Sequence, residues 1–355
     1  GERHAPPGSA LDRAMLVDVA LPVPLPQTFT YRLEADGVEV GTRVLVPFGP
    51  RRLIGWVVGE GDPSVDKVRP VTRILDDTPS LPLDLLALCR WISDYYVAPL
   101  GQVLRTALPA VLSDTGRPEP PVLRRRILRL IRELPSLQLR DEVFGRARRQ
   151  RECYELLEAM GGAAEVTHLT GHVGFSASVL QGLVDKGVAE FAEAEVERDP
   201  FAEIPAPAPE ALSLTPAQEA AVAALRDAAR AEAPGTFLLR GVTGSGKTQV
   251  YIELLREVVE RQGRGAIVLV PEIALTPQTV ARFRSHFGDA VAVRHSALSD
   301  GERYDAWRAL RSGEKRIAVG ARSAVFAPIA DLGAIVVDEE HEATYKQSEA
   351  PRYHA

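Results

Sequence analysis

One stretch, residues 241–248, restricts the fold of this chain more than any other. It reads Gly-Val-Thr-Gly-Ser-Gly-Lys-Thr and fits the phosphate-binding loop pattern G-x-x-x-x-G-K-[ST] without a mismatch. A short apolar run precedes it, and apolar residues at helical spacing follow it. Glycines let backbone N–H groups turn towards a polyphosphate, and a helix start adds partial positive charge. The stretch therefore predicts a nucleotide site between a strand and a helix.

The residue types in and before this loop suggest individual roles in ATP binding. Lys247 is expected to reach the β- and γ-phosphates, and the Thr248 hydroxyl is expected to hold Mg²⁺. Gln218 is predicted to read the hydrogen-bonding edge of adenine; the alternative is a plain helix start capped by Thr215. The predicted ATP-binding residues are Gln218, Gly241, Thr243, Gly244, Ser245, Gly246, Lys247 and Thr248.

A second apolar run, residues 335–337, delivers a cluster of acids. It continues as Asp338-Glu339-Glu340-His341. We expect Asp338 to hold the metal, directly or through water, and Glu339 to orient and deprotonate the attacking water. A polar strand edge or a helix cap is the alternative. The predicted catalytic residues are Lys247, Asp338 and Glu339, and the predicted metal ligands are Thr248 and Asp338.

Strands and helices alternate around these two motifs, which predicts a parallel sheet with ligands at the carboxyl ends of its strands. The predicted strands are 236–240, 266–270, 291–295, 316–319 and 334–337, and the predicted helices are 248–262, 277–287 and 299–311. Ser299 and Glu302 form a capping-box pattern, so the start of the third helix is well marked.

Loops after the predicted strands carry candidate contacts to single-stranded DNA. Arg322 and Ser323 are placed to grip phosphates. Between 342 and 355, aromatic residues stand beside basic residues, a composition that suits stacking on DNA bases. An ordinary packed loop is the alternative. The candidates here are Arg322, Ser323, Tyr345, Lys346, Arg352 and Tyr353.

The N-terminal region has short β-rich runs separated by turn residues, which predicts a small barrel. The runs are 16–21, 29–33, 43–48, 53–58 and 68–74. Helices are predicted at 83–96 and 100–108, and the apolar residues expected to face the barrel are Leu85, Leu86, Leu88, Trp91 and Ile92.

The middle of the chain is a winged-helix candidate. Helices are predicted at 150–160, near 164–169 and at 178–186, followed by a strand at 188–196. Lys186 is the only basic residue of the third predicted helix. This favours contact with the DNA backbone, or docking of a protein, over the reading of DNA bases. Residues 117–151 hold eleven arginines against four acids. Charge alone does not separate phosphate contact from a solvated helical face.

Composition, with 45% hydrophobic and 25% charged residues in 355, is that of a soluble multidomain protein. The net charge of −6 gives no global sign of nucleic-acid binding. Cys89 and Cys153 are too few for a disulfide framework and lack metal-ligand spacing, which favours a reducing cytoplasm. The start is not a secretory signal, and no apolar run is long enough to span a membrane.

These patterns together predict six segments. We expect a disordered leader at 1–13, a front domain at 14–112, a linker at 113–122, a winged-helix domain at 123–198, a proline-rich linker at 199–212 and a motor lobe at 213–355.

The motifs resemble those of the bacterial primosomal replication-restart helicases. The resemblance is carried by the phosphate loop, by Leu-Val-Pro-Glu-Ile-Ala-Leu-Thr-Pro-Gln, by Val-Gly-Ala-Arg-Ser-Ala-Val-Phe and by Val-Val-Asp-Glu-Glu-His with Tyr-Lys-Gln and Arg-Tyr-His-Ala beyond it. Val-Ala-Leu-Pro-Val-Pro-Leu-Pro and Val-Pro-Phe-Gly near the front fit the same family. The resemblance covers residues 15–355 and is weakest in the middle of the chain.

The resemblance implies a multidomain α/β protein. It has a small β-barrel-like domain that binds the 3′ end of a leading strand, a winged helix and the first RecA-like P-loop lobe of a superfamily 2 helicase. In the family the 3′-end pocket lies near the residues matching Phe29, Thr30, Tyr31, Gly49 and Lys67. Thr30 stands where some members carry an acid that contacts the terminal base.

The function implied is that of an ATP-dependent 3′-to-5′ DNA helicase that assembles the primosome at stalled forks. Its cofactors would be ATP and Mg²⁺, and its partners branched and single-stranded DNA with 3′ ends, other primosome proteins and single-stranded DNA-binding protein, in the nucleoid and not at a membrane. A second motor lobe and a zinc module are expected outside these 355 residues. The alternatives are a non-enzymatic fork-recognition scaffold that binds nucleotide without unwinding, and a different DNA translocase such as a restriction motor.

Overall fold

A computed structural model of the chain describes residues 15–34, 37–120, 122–195, 198–201, 213–231, 235–242 and 244–355. The expected leader at 1–13, and the part of the expected proline-rich linker at 202–212, lie outside the described residues. The chain forms two compact units. Val122–Arg198 is one of them, and the sequences before and after it form the other.

The front of the larger unit is a six-stranded curled sheet. Its strands are β1 (Met15–Ala20), β2 (Phe29–Leu33), β3 (Arg43–Phe48), β4 (Arg51–Glu60), β5 (Arg69–Pro70) and β6 (Arg73–Ile74), in the order β5-β2-β1-β4-β3-β6. The two outer strands belong to one segment. Val71 N donates to Arg32 O at one edge and Thr72 N donates to Leu45 O at the other, both at 2.8 Å. One stretch of chain therefore joins both edges of the curled sheet.

Two helices, α1 (Leu83–Tyr95) and α2 (Leu100–Ala107), pack on this sheet. The buried residues of α1 are Leu85, Leu86, Cys89 and Ile92. Trp91, which we expected to face the barrel, is 54% exposed and stacks on Tyr95. The expectation was wrong because the inward stripe of the helix runs through positions three or four apart, and Trp91 lies beside that stripe.

The smaller unit pairs a three-stranded antiparallel sheet with four helices. Its elements are β7 (Arg124–Leu130), α3 (Leu137–Phe144), α4 (Arg148–Ala159), β8 (Ala163–Glu165), α5 (Val166–Gly171), α6 (Ala177–Asp185) and β9 (Ala189–Glu195), with the sheet order β8-β7-β9. The three predicted helices and the strand are present within two or three residues. The sequence patterns missed β7, α3 and the three-residue strand β8, because arginine runs, short polar helices and very short strands carry weak periodicity.

The rest of the larger unit is built on a four-stranded parallel sheet. Helices α7 (Pro216–Arg230) and α8 (Lys247–Leu255) precede it, and a π-helical turn, Arg256–Arg261, extends α8. The remaining elements are β10 (Gly265–Leu269), α9 (Pro277–Phe287), β11 (Val291–Arg294), α10 (Asp300–Ser312), β12 (Ile317–Gly320) and β13 (Leu332–Val337). The strand order is β11-β12-β10-β13. Ser299 and Glu302 form the expected capping box at the start of α10.

One predicted strand of this region is absent from the sheet. Residues 236–240 are assigned to no strand and pair with none, and Phe237 and Leu238 are 52% and 72% exposed. β13 is an outer strand of the sheet, and its Ile335 and Val337 are also exposed. The prediction of a paired strand was wrong because an apolar run forms a strand only beside a neighbour that completes its hydrogen bonds.

The two halves of the larger unit share a hydrophobic core. Trp307 of α10, Phe326 and Tyr353 are buried in the same cluster as Trp56 of β4 and the inward faces of α1 and α2. The curled sheet with α1 and α2 therefore packs against α10 and against the segments that hold Phe326 and Tyr353 through an apolar contact. In the part of the chain that the structure describes, every helix is too short or too polar to span a bilayer.

Candidate nucleotide and nucleic-acid sites

The glycine-rich loop leads into α8 with two residues in the left-handed region. Gly244 has φ +79° and Gly246 has φ +80°, conformations that side-chain-bearing residues rarely adopt. A Cβ atom on Gly246 would lie 2.5 Å from Gln218 Nε2, and one on Gly241 would lie 2.5 Å from Ser245 Oγ. The loop turns tightly and keeps its backbone open because these positions are glycine. Thr243 lies outside the described residues.

Lys247 begins α8 and turns back over the loop. Its Nζ donates to Gly241 O at 2.9 Å and lies 3.9 Å from Glu339 Oε1. The lysine of the phosphate loop and the carboxylate beyond β13 therefore lie close together.

Gln218 contacts the loop from the first turn of α7. Its Oε1 accepts from Thr215 N and completes a capping box, while its Nε2 donates to Ser245 O at 2.9 Å. Gln218 therefore belongs to a helix start capped by Thr215, which was the alternative. Adenine recognition stays a prediction, because both ends of the amide are already engaged here.

Asp338 is held by two tyrosines. The buried Tyr251 of α8 donates to Asp338 Oδ2 at 3.3 Å, and Tyr345 donates to the backbone carbonyl of Asp338 at 2.6 Å. Burial, reinforced by the Asp338 charge, raises the pKa of both phenols, while a hydrogen bond from Thr248 works against the rise in the pKa of Tyr251. Both hydroxyls are therefore neutral donors across the physiological pH range.

Glu339 has an unusual backbone conformation. Its φ is +49°, in the left-handed region, which costs about 1–2 kcal/mol for a residue with a side chain. The carboxylate lies near Lys247, and its Oε2 is 3.8 Å from His341 Nε2. Strain of this kind persists where the surroundings hold it, and it is frequent at active sites. Here it coincides with the residue predicted to activate water.

A separate cavity of about 550 Å³ opens on the curled sheet. It gathers all five residues expected in the 3′-end pocket, namely Phe29, Thr30, Tyr31, Gly49 and Lys67. The sequence did not single out Asp18, Asp62 and Arg69, which also line it. Strand register was the missing signal, because β1 pairs Asp18 with Thr30 and β5 pairs Arg69 with Tyr31.

The cavity combines three kinds of recognition chemistry. Lys67 and Arg69 supply positive charge, and Phe29 and Phe48 pack edge to face at 5.2 Å. Asp18 accepts from the Thr28 hydroxyl, and hydrogen bonds from Ser64 lower the pKa of Asp62. Cations suit a phosphate, aromatic rings a base and ionised carboxylates a hydroxyl donor.

The six residues predicted to contact single-stranded DNA near the parallel sheet differ in their exposure. Ser323, Lys346 and Arg352 are exposed, whereas Tyr345 and Tyr353 are only 1% and 2% exposed. Arg322 donates to Thr344 O and Lys346 O, so it fastens the loop. The burial of the two tyrosines agrees with the packed-loop alternative, and base stacking by them would require the loop to open.

Sequence comparisons agree with this arrangement. The family described as the 3′ DNA-binding domain (3′BD) of PriA matches residues 18–109, and the family described as type III restriction enzyme, res subunit, matches residues 211–354. The replication restart protein PriA of Bacillus subtilis is 35% identical over 90% of this chain and 47% of its own length. The proteins of the same name from Haemophilus influenzae and Synechocystis are 35% and 32% identical over 96% and 95% of this chain.

The chain belongs to the PriA family. It spans about half the length of the relatives it matches, 46% and 49% of the Haemophilus influenzae and Synechocystis proteins. The 3′BD match falls on the curled sheet with α1 and α2, and the restriction-subunit match falls on the parallel sheet.

The nucleotide site of this PriA-family chain fits a magnesium-bound triphosphate. The open glycine loop suits phosphate oxygens, and the donor set near it, the Thr248 hydroxyl and the Asp338 carboxylate, consists of the hard oxygens that Mg²⁺ prefers. Both cysteines are buried, and burial raises the pKa of Cys89 to about 12 and that of Cys153 to about 11. No cluster of three His, Cys, Asp or Glu ligands occurs among the described residues.

The arginine-rich stretch is largely neutralised within its own unit. Arg125 pairs with Glu165 and Arg129 with Glu190 across the sheet, and Arg124 lies 3.9 Å from Glu195. On the helices, Arg140 and Arg151 share Glu155. Within the stretch, Arg124–Leu130 form a strand and not a helical face. Acidic residues from elsewhere in the chain therefore offset much of the positive charge that this stretch carries in the sequence.

Proposed function

We propose that this chain is part of an ATP-dependent DNA helicase of replication restart, and that it combines recognition of a 3′ DNA end with one lobe of the motor. The observation that carries the proposal is the position of Lys247, 3.9 Å from Glu339, in the same compact unit as the cavity on the curled sheet. The names of the relatives, which are replication restart proteins, support it.

In the proposed hydrolytic step, Lys247 moves from the Gly241 carbonyl to the β- and γ-phosphates of ATP and stabilises their charge. The loop N–H groups and the start of α8 hold the remaining phosphate oxygens. Glu339 orients the attacking water and accepts its proton. Thr248 and Asp338 would hold Mg²⁺, which neutralises phosphate charge when it is bound.

On the DNA side, we propose that the cavity receives the terminal nucleotide of a leading strand. Lys67 and Arg69 bind its phosphate, the aromatic side chains stack on its base, and Asp18 or Asp62 accepts from the terminal hydroxyl. The carboxylate of Asp18, on β1, would take the place of the acid that some family members carry at the position of Thr30. The smaller unit acts as a winged helix in backbone contact or protein docking.

The parent protein would translocate 3′ to 5′ and load other primosome proteins at forks coated with single-stranded DNA-binding protein. A motor stroke needs two lobes that close on the nucleotide. The parent protein would therefore have a second lobe, with an arginine contact to the γ-phosphate, and a zinc module; this chain covers 47% of the length of the Bacillus subtilis relative.

The test uses the 355-residue chain and three DNA substrates, which are a fork with a 3′-hydroxyl end at the junction, the same fork without that end, and a blunt duplex. We expect the tightest binding to the first fork, weak ATP binding and no strand separation. Equal affinity for all three substrates would refute 3′-end recognition. Robust unwinding by this chain would refute the two-lobe requirement.

A further inference from the structure

The Tyr251 side chain connects the two residues assigned to magnesium. It is 7% exposed, and its ring stacks on Phe283 of α9 with centroids 6.2 Å apart and an interplanar angle of 11°. Its hydroxyl reaches Asp338 Oδ2, 87 positions away in sequence. Tyr251 lies three positions after Thr248, so the two residues share a face of α8. The phenol therefore sits between α8 and the end of β13.

The backbone of Asp338 is fixed independently of Tyr251. Its N–H donates to Leu269 O at 2.9 Å, and its carbonyl accepts from Tyr345. The freedom that remains is rotation of the carboxylate about its side-chain bonds. The hydrogen bond from Tyr251 engages Oδ2 and leaves Oδ1 to other partners. A buried phenol usually finds one hydrogen-bond acceptor, and here that acceptor is a carboxylate of the nucleotide site.

We propose that Tyr251 is a positioning residue that orients Asp338 towards the metal side of the nucleotide site. The proposal rests on the proposed function, because it assumes that ATP binds here with Mg²⁺. Outer partners that hydrogen-bond a ligating carboxylate fix its orientation, and their loss lowers metal affinity or activity about 10- to 100-fold. The buried ring alone would make Tyr251 a packing residue, and only the contact of its hydroxyl with Asp338 separates that role from the one proposed.

The variant Tyr251→Phe keeps the ring and its packing on Phe283 and removes only the hydroxyl. Binding of a fluorescent ATP analogue to the 355-residue chain is measured in excess EDTA and over a Mg²⁺ titration. We expect the Kd in EDTA to stay within about twofold of wild type, and the Mg²⁺ concentration for half-maximal binding to rise about tenfold. Tyr304→Phe is the matched control, since Tyr304 stacks on Trp307 of α10. We expect it to leave both values unchanged.

Two results overturn the inference. One is a Mg²⁺ titration of Tyr251→Phe that superimposes on wild type. The other is an equal loss of analogue binding with and without Mg²⁺, which identifies Tyr251 as a packing residue only. If the wild-type chain binds no analogue in either condition, the proposed function itself fails, and this outcome is distinct from the other two. Thermal unfolding of each variant shows whether the fold is intact.

Discussion

Lys247 Nζ lies 3.9 Å from Glu339 Oε1 and 2.9 Å from the carbonyl oxygen of Gly241. The ammonium group of the glycine loop is thus balanced by the carboxylate that follows β13, although 92 positions separate the two residues in the sequence, 247 and 339. A triphosphate offers the lysine more negative charge than these partners do. We therefore expect the lysine and the carboxylate to separate when phosphates bind between them.

Lys247→Ala removes the cation that we expect to stabilise the phosphates. In the full-length protein carrying this sequence, ATP turnover at saturating DNA should fall about a hundredfold or more. Lys186→Ala, in the smaller unit, is the control and should retain turnover. Measurement of phosphate release decides the matter, and turnover that survives in Lys247→Ala would remove the basis for assigning this lobe.

Glu339→Gln keeps the size of the side chain and removes the proton acceptor. We expect nucleotide affinity to stay within about twofold and the full-length turnover rate to fall about 100- to 10,000-fold. Glu340→Gln, at the exposed neighbouring position, should leave turnover nearly unchanged. Parallel losses of binding and turnover in Glu339→Gln would show that the carboxylate supports the loop and not the chemistry.

Lys67→Ala removes one cation from the cavity on the curled sheet. Binding to a fork with a 3′-hydroxyl end should weaken, and the slope of log K against log salt concentration should become shallower by about one. Arg51→Ala is a matched control on β4, because Arg51 is exposed and does not line the cavity. An unchanged slope in Lys67→Ala would mean that this residue meets no phosphate.

Reversal of three arginines, Arg124→Glu, Arg125→Glu and Arg126→Glu, tests the arginine-rich stretch. Arg124 and Arg125 face acids, and the Arg126 guanidinium lies 3.9 Å from the Phe191 ring centroid. Because these groups are already engaged, we expect the salt dependence of fork binding to stay unchanged. A slope that is shallower by two or three in a variant that still unfolds cooperatively would place the stretch on DNA.

The environment of Glu257 predicts that part of the free energy of unfolding is lost in acid. Hydrogen bonds from Arg230 and Arg261 lower the pKa of Glu257 from 4.5 to about 2. Its native state therefore favours the ionised form, so the stabilisation is present above pH 4.5 and is lost as the pH falls towards 2. Glu257→Gln should lower the free energy of unfolding by about 1 to 3 kcal/mol at pH 7 and by less near pH 3.

Urea unfolding at the two pH values measures this difference. Glu260→Gln changes an exposed glutamate of the same π-helical turn and should have little effect at either pH. A destabilisation of Glu257→Gln that is equal at pH 7 and pH 3 would show that packing, and not ionisation, explains the role of this residue.

Local patterns were enough to predict much of the fold. The strands β2 and β3 and the helix α9 have the predicted boundaries, because alternation, helical spacing and turn residues act within a few positions. The Ser299–Glu302 capping box was readable for the same reason. Trp91 shows the limit of this approach, since an apolar side chain next to a buried stripe looks like part of it until the partner surface is known.

Sequence by itself determined the chemistry of this protein: a glycine loop with Lys247 and Thr248, an acidic run after an apolar strand, and the family to which these motifs belong. Tertiary structure alone decided which groups meet. It left residues 236–240 unpaired, buried Tyr345 and Tyr353, and brought Tyr251 to Asp338 and Asp18 beside Thr30. The physical reason is that motif residues act through their own types and spacing, whereas strand pairing, burial and long-range hydrogen bonds depend on partners that lie far away in the chain.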